Sequence, residues 1–102
     1  MGCYIRAASA DDVAPGNAKL VEIDGKSIAL FNIGGTYYAL DNACTHQGGP
    51  LSEGTLQGKE VTCPWHGAVF DVTTGAVLQG PAMQNVACYP VRVVGSDVEI
   101  EI

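Results

Sequence analysis

Apolar and polar residues alternate along this chain in short runs broken by turn formers. Lys19 to Ile23 alternates, Asp24-Gly25 interrupts it, Lys26 to Ile33 follows, and Gly34-Gly35 separates that run from Thr36 to Leu40. Asp-Gly and Gly-Gly tolerate the positive φ angles of two-residue hairpin turns, so three antiparallel strands are expected here. Glu60 to Cys63, Val69 to Val72, Tyr89 to Val94 and Val98 to Ile102 read as further strands, being short and rich in β-branched residues. Ser9 to Val13 opens on a residue able to cap a helical turn. No segment sustains a 3.6-residue period over several turns. The expected fold class is therefore all-β, a small sandwich or barrel of antiparallel sheets.

Composition narrows the class of protein. A chain of 102 residues suits one domain, 1–102, and 47% hydrophobic residues with 16% charged suit a packed core. Five Lys and Arg stand against eleven Asp and Glu, a formal net charge of −6. That balance argues against nucleic acid and against an anionic membrane surface, and leaves room for a partner with a basic docking face. No run of 18 apolar residues is present, and Met1 to Ala10 does not read as a signal peptide. A cytoplasmic setting is expected, where paired Cys more often bind metal than form disulfides.

One stretch breaks the strand pattern. Asn42 to Gly67 is rich in Gly, Cys, His and Pro and reads as two loops, Cys44 to about Ser52 and Cys63 to Ala68. Both histidines of the chain sit there beside cysteines, as Cys44-Thr45-His46 and Cys63-Pro64-Trp65-His66. A Cys alone reads as a small buried hydrophobe and a His alone as a surface residue. Two thiolates and two imidazoles paired in this way make a complete set of four metal ligands. Zinc accepts such a set, although its usual half-sites pair Cys with Cys and His with His. One ligand of each type per loop suits a binuclear centre in which His₂ replaces Cys₂ on one iron.

These residues resemble the Rieske [2Fe–2S] family. The matching run is Cys44-Thr45-His46-Gln47-Gly48-Gly49-Pro50-Leu51-Ser52-Glu53-Gly54, followed by Cys63-Pro64-Trp65-His66-Gly67, Phe70-Asp71 and Thr74-Gly75. Gly80-Pro81-Ala82 is similar to the family's third loop. The resemblance implies an antiparallel base of sandwich or barrel type, with a small cluster-binding subdomain at about 42–82. It implies that Cys44 and Cys63 bind one iron, and that His46 and His66 bind the other, outer iron.

Departures from the respiratory members of that family are informative. Those subunits carry two further Cys as a disulfide, at positions that correspond to Gly49 and Trp65 here. They also place Ser and Tyr hydroxyls near the cluster, where this chain has Ala68 and Phe70. Lacking those donors, the cluster is expected toward the low-potential end of the Rieske range, roughly −150 mV. A mononuclear oxygenase iron needs two more His and a carboxylate, and no His remains. No G-x-G-x-x-G motif for a nicotinamide or flavin is present either.

What remains resembles a Rieske-type ferredoxin, a carrier rather than an enzyme. It would pass single electrons from a flavin-containing NAD(P)H ferredoxin reductase to the large subunit of a terminal ring-hydroxylating oxygenase. A Rieske-like small subunit of NAD(P)H nitrite reductase is the alternative within this chemistry, and a structural zinc-binding interaction module the alternative outside it. A monomer is expected, since a shuttle does not require an oligomer. Trp65, Pro50, Leu51 and Pro81 are candidates for an apolar contact patch, or for packing that shields the cluster. Cys3 and Cys88 lie outside both motifs and read as buried structural thiols. Lys59, near the loops in sequence, reads as a solvated cation or a partner contact.

Overall fold

The computed structural model describes residues 3–43, 50–65, 67–80 and 84–102. In chain order its strands are β1 (Tyr4–Ser9), β2 (Ala18–Ile23), β3 (Lys26–Ile33), β4 (Thr36–Asp41), β5 (Thr55–Gln57), β6 (Glu60–Thr62), β7 (Val69–Asp71), β8 (Val77–Gln79), β9 (Cys88–Tyr89), β10 (Val91–Val94) and β11 (Asp97–Glu101). They form three antiparallel sheets, ordered β1-β11-β10, β2-β3-β4-β9 and β5-β6-β7-β8. Two 3₁₀ turns, Ala10–Asp12 and Leu51–Glu53, are the helical segments among the described residues. The all-β class expected from the sequence holds.

The second sheet is the middle layer, and β3 shows why its sequence is apolar almost throughout. Successive side chains of a strand point to opposite faces. Ile28 and Leu30 pack in one core with Val21, Val98 and Ile100, whereas Ala29 and Phe31 pack in another with Val61, Phe70 and Val72. A strand covered on both faces loses the polar half of its alternation. By contrast, β11 is covered on one face: Val98 and Ile100 are buried while Asp97, Glu99 and Glu101 point outward.

Both expected hairpin turns form. Asp24 and Gly25 have φ of 52° and 77°, and Gly34 and Gly35 have 61° and 95°, the left-handed pairs that let β2-β3 and β3-β4 fold back directly. The Ser9 turn also forms, with the Ser9 N–H donating to the Asp12 carboxylate at 3.0 Å. The run Tyr89 to Val94 is divided at Pro90. Pro has no N–H to donate, and there the chain passes from the second sheet (β9) to the first (β10). Strands β1, β5 and β8 are additions to those expected.

Candidate metal centre

The four-stranded third sheet places the predicted loops. Its register aligns Thr55 with Thr62, Thr62 with Val69, and Val69 with Gln79, so these residues form one row across the sheet. Beyond that row, on the same end, lie the turn Leu51–Glu53 leading into β5, the segment 63–68 between β6 and β7, and the exit of β8 toward Gly80. Three stretches separated in sequence therefore leave from one sheet end.

Each stretch is closed at its base by hydrogen bonds. Ala43 and Pro50 form an antiparallel bridge, the Leu51 N–H donates to the Asn42 carbonyl at 2.7 Å, and the Ser52 N–H donates to Asn42 Oδ1 at 2.8 Å. The Cys63 N–H donates to the Ala68 carbonyl at 2.7 Å. The chain after β8 returns where the Val77 N–H donates to Asn85 Oδ1 at 3.0 Å and the Val86 N–H donates to the Gly75 carbonyl at 2.8 Å.

Of the four predicted ligands, Cys63 is described: it is 2% exposed and packs in the core formed by Leu51, Val61, Ala68 and Phe70. Cys44, His46 and His66 lie outside the described residues, as does Pro81. A cysteine sulfur withdrawn from water at the base of a hydrogen-bonded loop is a suitable ligand for the inner metal of a mixed Cys–His centre. The donor set of the sequence and the convergence of the three bases fit a binuclear iron–sulfur group.

The structure revises several surface expectations. Leu51 is fully buried in the core and so is not part of a contact patch, whereas Trp65 is 50% exposed and Pro50 partly so. Leu78, one residue from the row, adds a second half-exposed apolar side chain at this end. Lys59 is exposed but sits in the β5-β6 turn, at the opposite end of the sheet from the loops.

Cys3 and Cys88 are both exposed and unbridged, so neither is a core thiol. Cys3 flanks the β1-β11 edge, exchanging backbone hydrogen bonds with Ile102. Cys88 begins β9, an edge strand, with its Sγ 3.9 Å from the Thr73 carbonyl. Partial covering of the sulfur, and then the Asp71 charge, push its thiol up and keep it protonated. Cys88 also lines a cleft of about 350 Å³ with Tyr37, Tyr38, Thr73 and Tyr89, away from the loop end.

The Phe70-Asp71 and Thr74-Gly75 matches have a structural role. Phe70 is fully buried in the core that also holds Leu51 and Cys63. Asp71 Oδ1 accepts the Thr73 N–H at 2.8 Å and the Thr73 hydroxyl at 2.7 Å, and the Gly75 N–H donates to the Asp71 carbonyl at 2.7 Å. The Thr73 hydroxyl is the main reason that the Asp71 carboxyl titrates below its ordinary value. Stability from a carboxyl lowered in this way is present above the unfolded-state pKa and is lost as pH falls through the lowered one. Asn42 and Asn85, which hold two loop bases, carry no distinguishing signal in the sequence. An Asn beside a strand end reads only as a turn former, and its partners become visible once the fold is closed.

Comparison with known proteins agrees with this architecture. The family model described as Rieske [2Fe-2S] domain matches residues 3–90. The ferredoxin component of the naphthalene 1,2-dioxygenase system of Pseudomonas putida is 39% identical over 99 residues, covering 97% of this chain and 95% of that protein. Among solved structures, a complex of reduced oxygenase and oxidized ferredoxin in carbazole 1,9a-dioxygenase gives a TM-score of 0.92 at 31% identity, over 99% of this chain and 94% of that one. The ferredoxin of Sphingomonas yanoikuyae B1 also gives 0.92, at 30% identity, over 98% of this chain and 99% of that one. The family model spans most of the chain and the similarity to these ferredoxins runs nearly full length, so the chain belongs to the Rieske [2Fe–2S] family.

Proposed function

We propose that the protein is the ferredoxin component of a ring-hydroxylating dioxygenase system. It takes single electrons from a flavin-containing NAD(P)H reductase and delivers them to the large subunit of a terminal oxygenase. Similarity over nearly the whole of both chains to the naphthalene-system ferredoxin component carries this reading. It favours a carrier over a nitrite reductase subunit or a zinc module. The cofactor is a Rieske-type [2Fe–2S] cluster, which supplies a reversible one-electron couple. In this reading Cys44 and Cys63 hold one iron, His46 and His66 the other, and 42–82 is the cluster-binding part of a single domain spanning 1–102.

The remainder of the chain sets the surroundings. Trp65 and Leu78 offer apolar contact at the loop end, and the net charge of −6 steers the carrier toward a basic rim, an attraction that weakens with salt. Arg6 pairs with Asp97 and Arg92 with Glu99, so two of the five cations are already engaged with acids on the first sheet. No helix among the described residues is long and apolar enough to cross a membrane, and a cytoplasmic, monomeric carrier fits the proposal.

Reconstitution tests the role. With purified reductase and oxygenase of a naphthalene-type system, NADH-dependent product formation should require this chain and saturate as it is added. Product formation that proceeds equally without it, or remains absent although the chain is chemically reducible, would count against the assignment.

The potential is a second expected outcome. Ala68 and Phe70 are fully buried and carry no hydroxyl, so the midpoint is expected toward roughly −150 mV. Ala68→Ser introduces a donor and should raise it by about 65–130 mV, the one-electron equivalent of one hydrogen bond to a charged group. A redox titration checks this, and an unmoved midpoint would contradict it.

A further inference from the structure

Asn42 stands where β4 gives way to the stretch that carries Cys44 and His46. It is 9% exposed, and its polar groups reach in two directions. Its N–H donates to the Ser27 carbonyl of β3 at 3.0 Å. Its carbonyl accepts the Leu51 N–H at 2.7 Å and its Oδ1 accepts the Ser52 N–H at 2.8 Å. The Ala43–Pro50 bridge lies just outside these bonds. One residue thus ties the middle sheet to both flanks of the stretch 44–49, while fully buried Leu51 fixes the returning side.

We propose that Asn42 is a positioning residue for the first ligand loop. Through the Ser52 N–H it sets where that loop rejoins the fold, and so governs ligand geometry and retention of the cluster. The inference rests on the assignment of Cys44 and His46 as ligands. Groups that hydrogen-bond a metal ligand from behind commonly cost about 10–100-fold in metal affinity when lost, and Asn42 acts one step further back, through the residue at which the loop returns. Asn42 differs in this from Asn32, which is also buried, with Nδ2 donating to the Val13 carbonyl and Oδ1 accepting the Gly35 N–H, but which holds a hairpin of the base.

The test compares Asn42→Ala, Asn42→Asp and Asn32→Ala in the cluster-loaded protein, well below the thermal midpoint. Two quantities are read: the g values of the reduced protein and the rate at which visible absorption bleaches in the presence of an iron chelator. Asn42→Ala should shift the g values and bleach about tenfold faster, as expected for loss of one hydrogen bond to the part-buried Ser52 N–H. Asn42→Asp keeps an acceptor for Ser52 and should restore the native g values. Asn32→Ala should lower the thermal midpoint yet keep the native g values.

If Asn42→Ala does not fold, Asn42→Ser, polar but too short to reach the Ser52 N–H, is judged by the same readouts. Native g values and native bleaching in the folded Ala or Ser variant would overturn the inference, as would equal spectral changes in Asn32→Ala. A wild-type protein with no Rieske signal would overturn the ligand assignment and this inference with it. A wild-type signal beside an unchanged Asn42 variant would overturn the inference alone.

Discussion

Replacing Cys63 with alanine is expected to abolish the visible absorption and the EPR signal of the reduced protein, with bound iron falling on the order of tenfold or more. Cys63 is 2% exposed, and the bond from its N–H to Ala68 closes the loop that leads to His66. Nothing in the alanine variant replaces the thiolate. The same substitution at Cys3 or Cys88 should leave iron content and spectrum at native values, because both are exposed and lie outside the two loop motifs. Iron analysis and visible spectra of the three variants check this. A native spectrum in Cys63→Ala, or a lost one in Cys88→Ala, would mean that the ligands are misassigned.

Gly75→Ala should lower stability by about 3 kcal/mol or more, the sum of a left-handed backbone penalty and a steric clash. Gly75 has φ of 82°, and a Cβ there would run into the Val86 carbonyl and approach Cys88 Cβ to 3.5 Å. The Gly75 carbonyl also accepts the Val86 N–H that secures the chain after the third loop, so this close approach cannot relax without loosening that base. Gly95 provides the comparison: its φ is 62°, but a Cβ there meets nothing within 4 Å. Gly95→Ala should therefore cost about 1–2 kcal/mol, for the backbone alone. For a chain of this size the Gly75 variant should melt on the order of 15 °C lower. Thermal scans at matched rate check the pair, and equal shifts would contradict the close contact at Gly75.

The parts of the fold that could be read from the chain are those governed by local chemistry. Asp24-Gly25 and Gly34-Gly35 specify tight hairpins through their backbone freedom, and Val98 to Ile102 shows its buried face through alternation. Strands β1, β5 and β8 lack such signals for physical reasons. In β1 the register shifts between Arg6 and Ala8, so Ala7 interrupts the alternation that would have marked the strand. Strands β5 and β8 have three residues each, too few to display a period.

The candidate site was legible as residue types and spacing, because one Cys and one His per loop carry their chemistry in their identities. Burial was less legible, since it depends on what the rest of the chain covers. Leu51 looked available for contact in its loop, yet Asn42 draws its N–H inward and the side chain fills the core. Cys88 looked like a core thiol among apolar neighbours in sequence, yet it falls on an edge strand. The two asparagine supports belong to the same class, being defined by partners 8–10 residues away.

The proposed function depends on an iron–sulfur cluster held by two thiolates and two imidazoles. Pulsed EPR of the dithionite-reduced protein, combined with metal analysis, tests it most directly. Expected are about two irons per chain and a reduced-cluster signal with couplings to the nitrogens of both His46 and His66. A colourless, EPR-silent protein containing zinc, or an iron–sulfur signal with no nitrogen coupling, would contradict it.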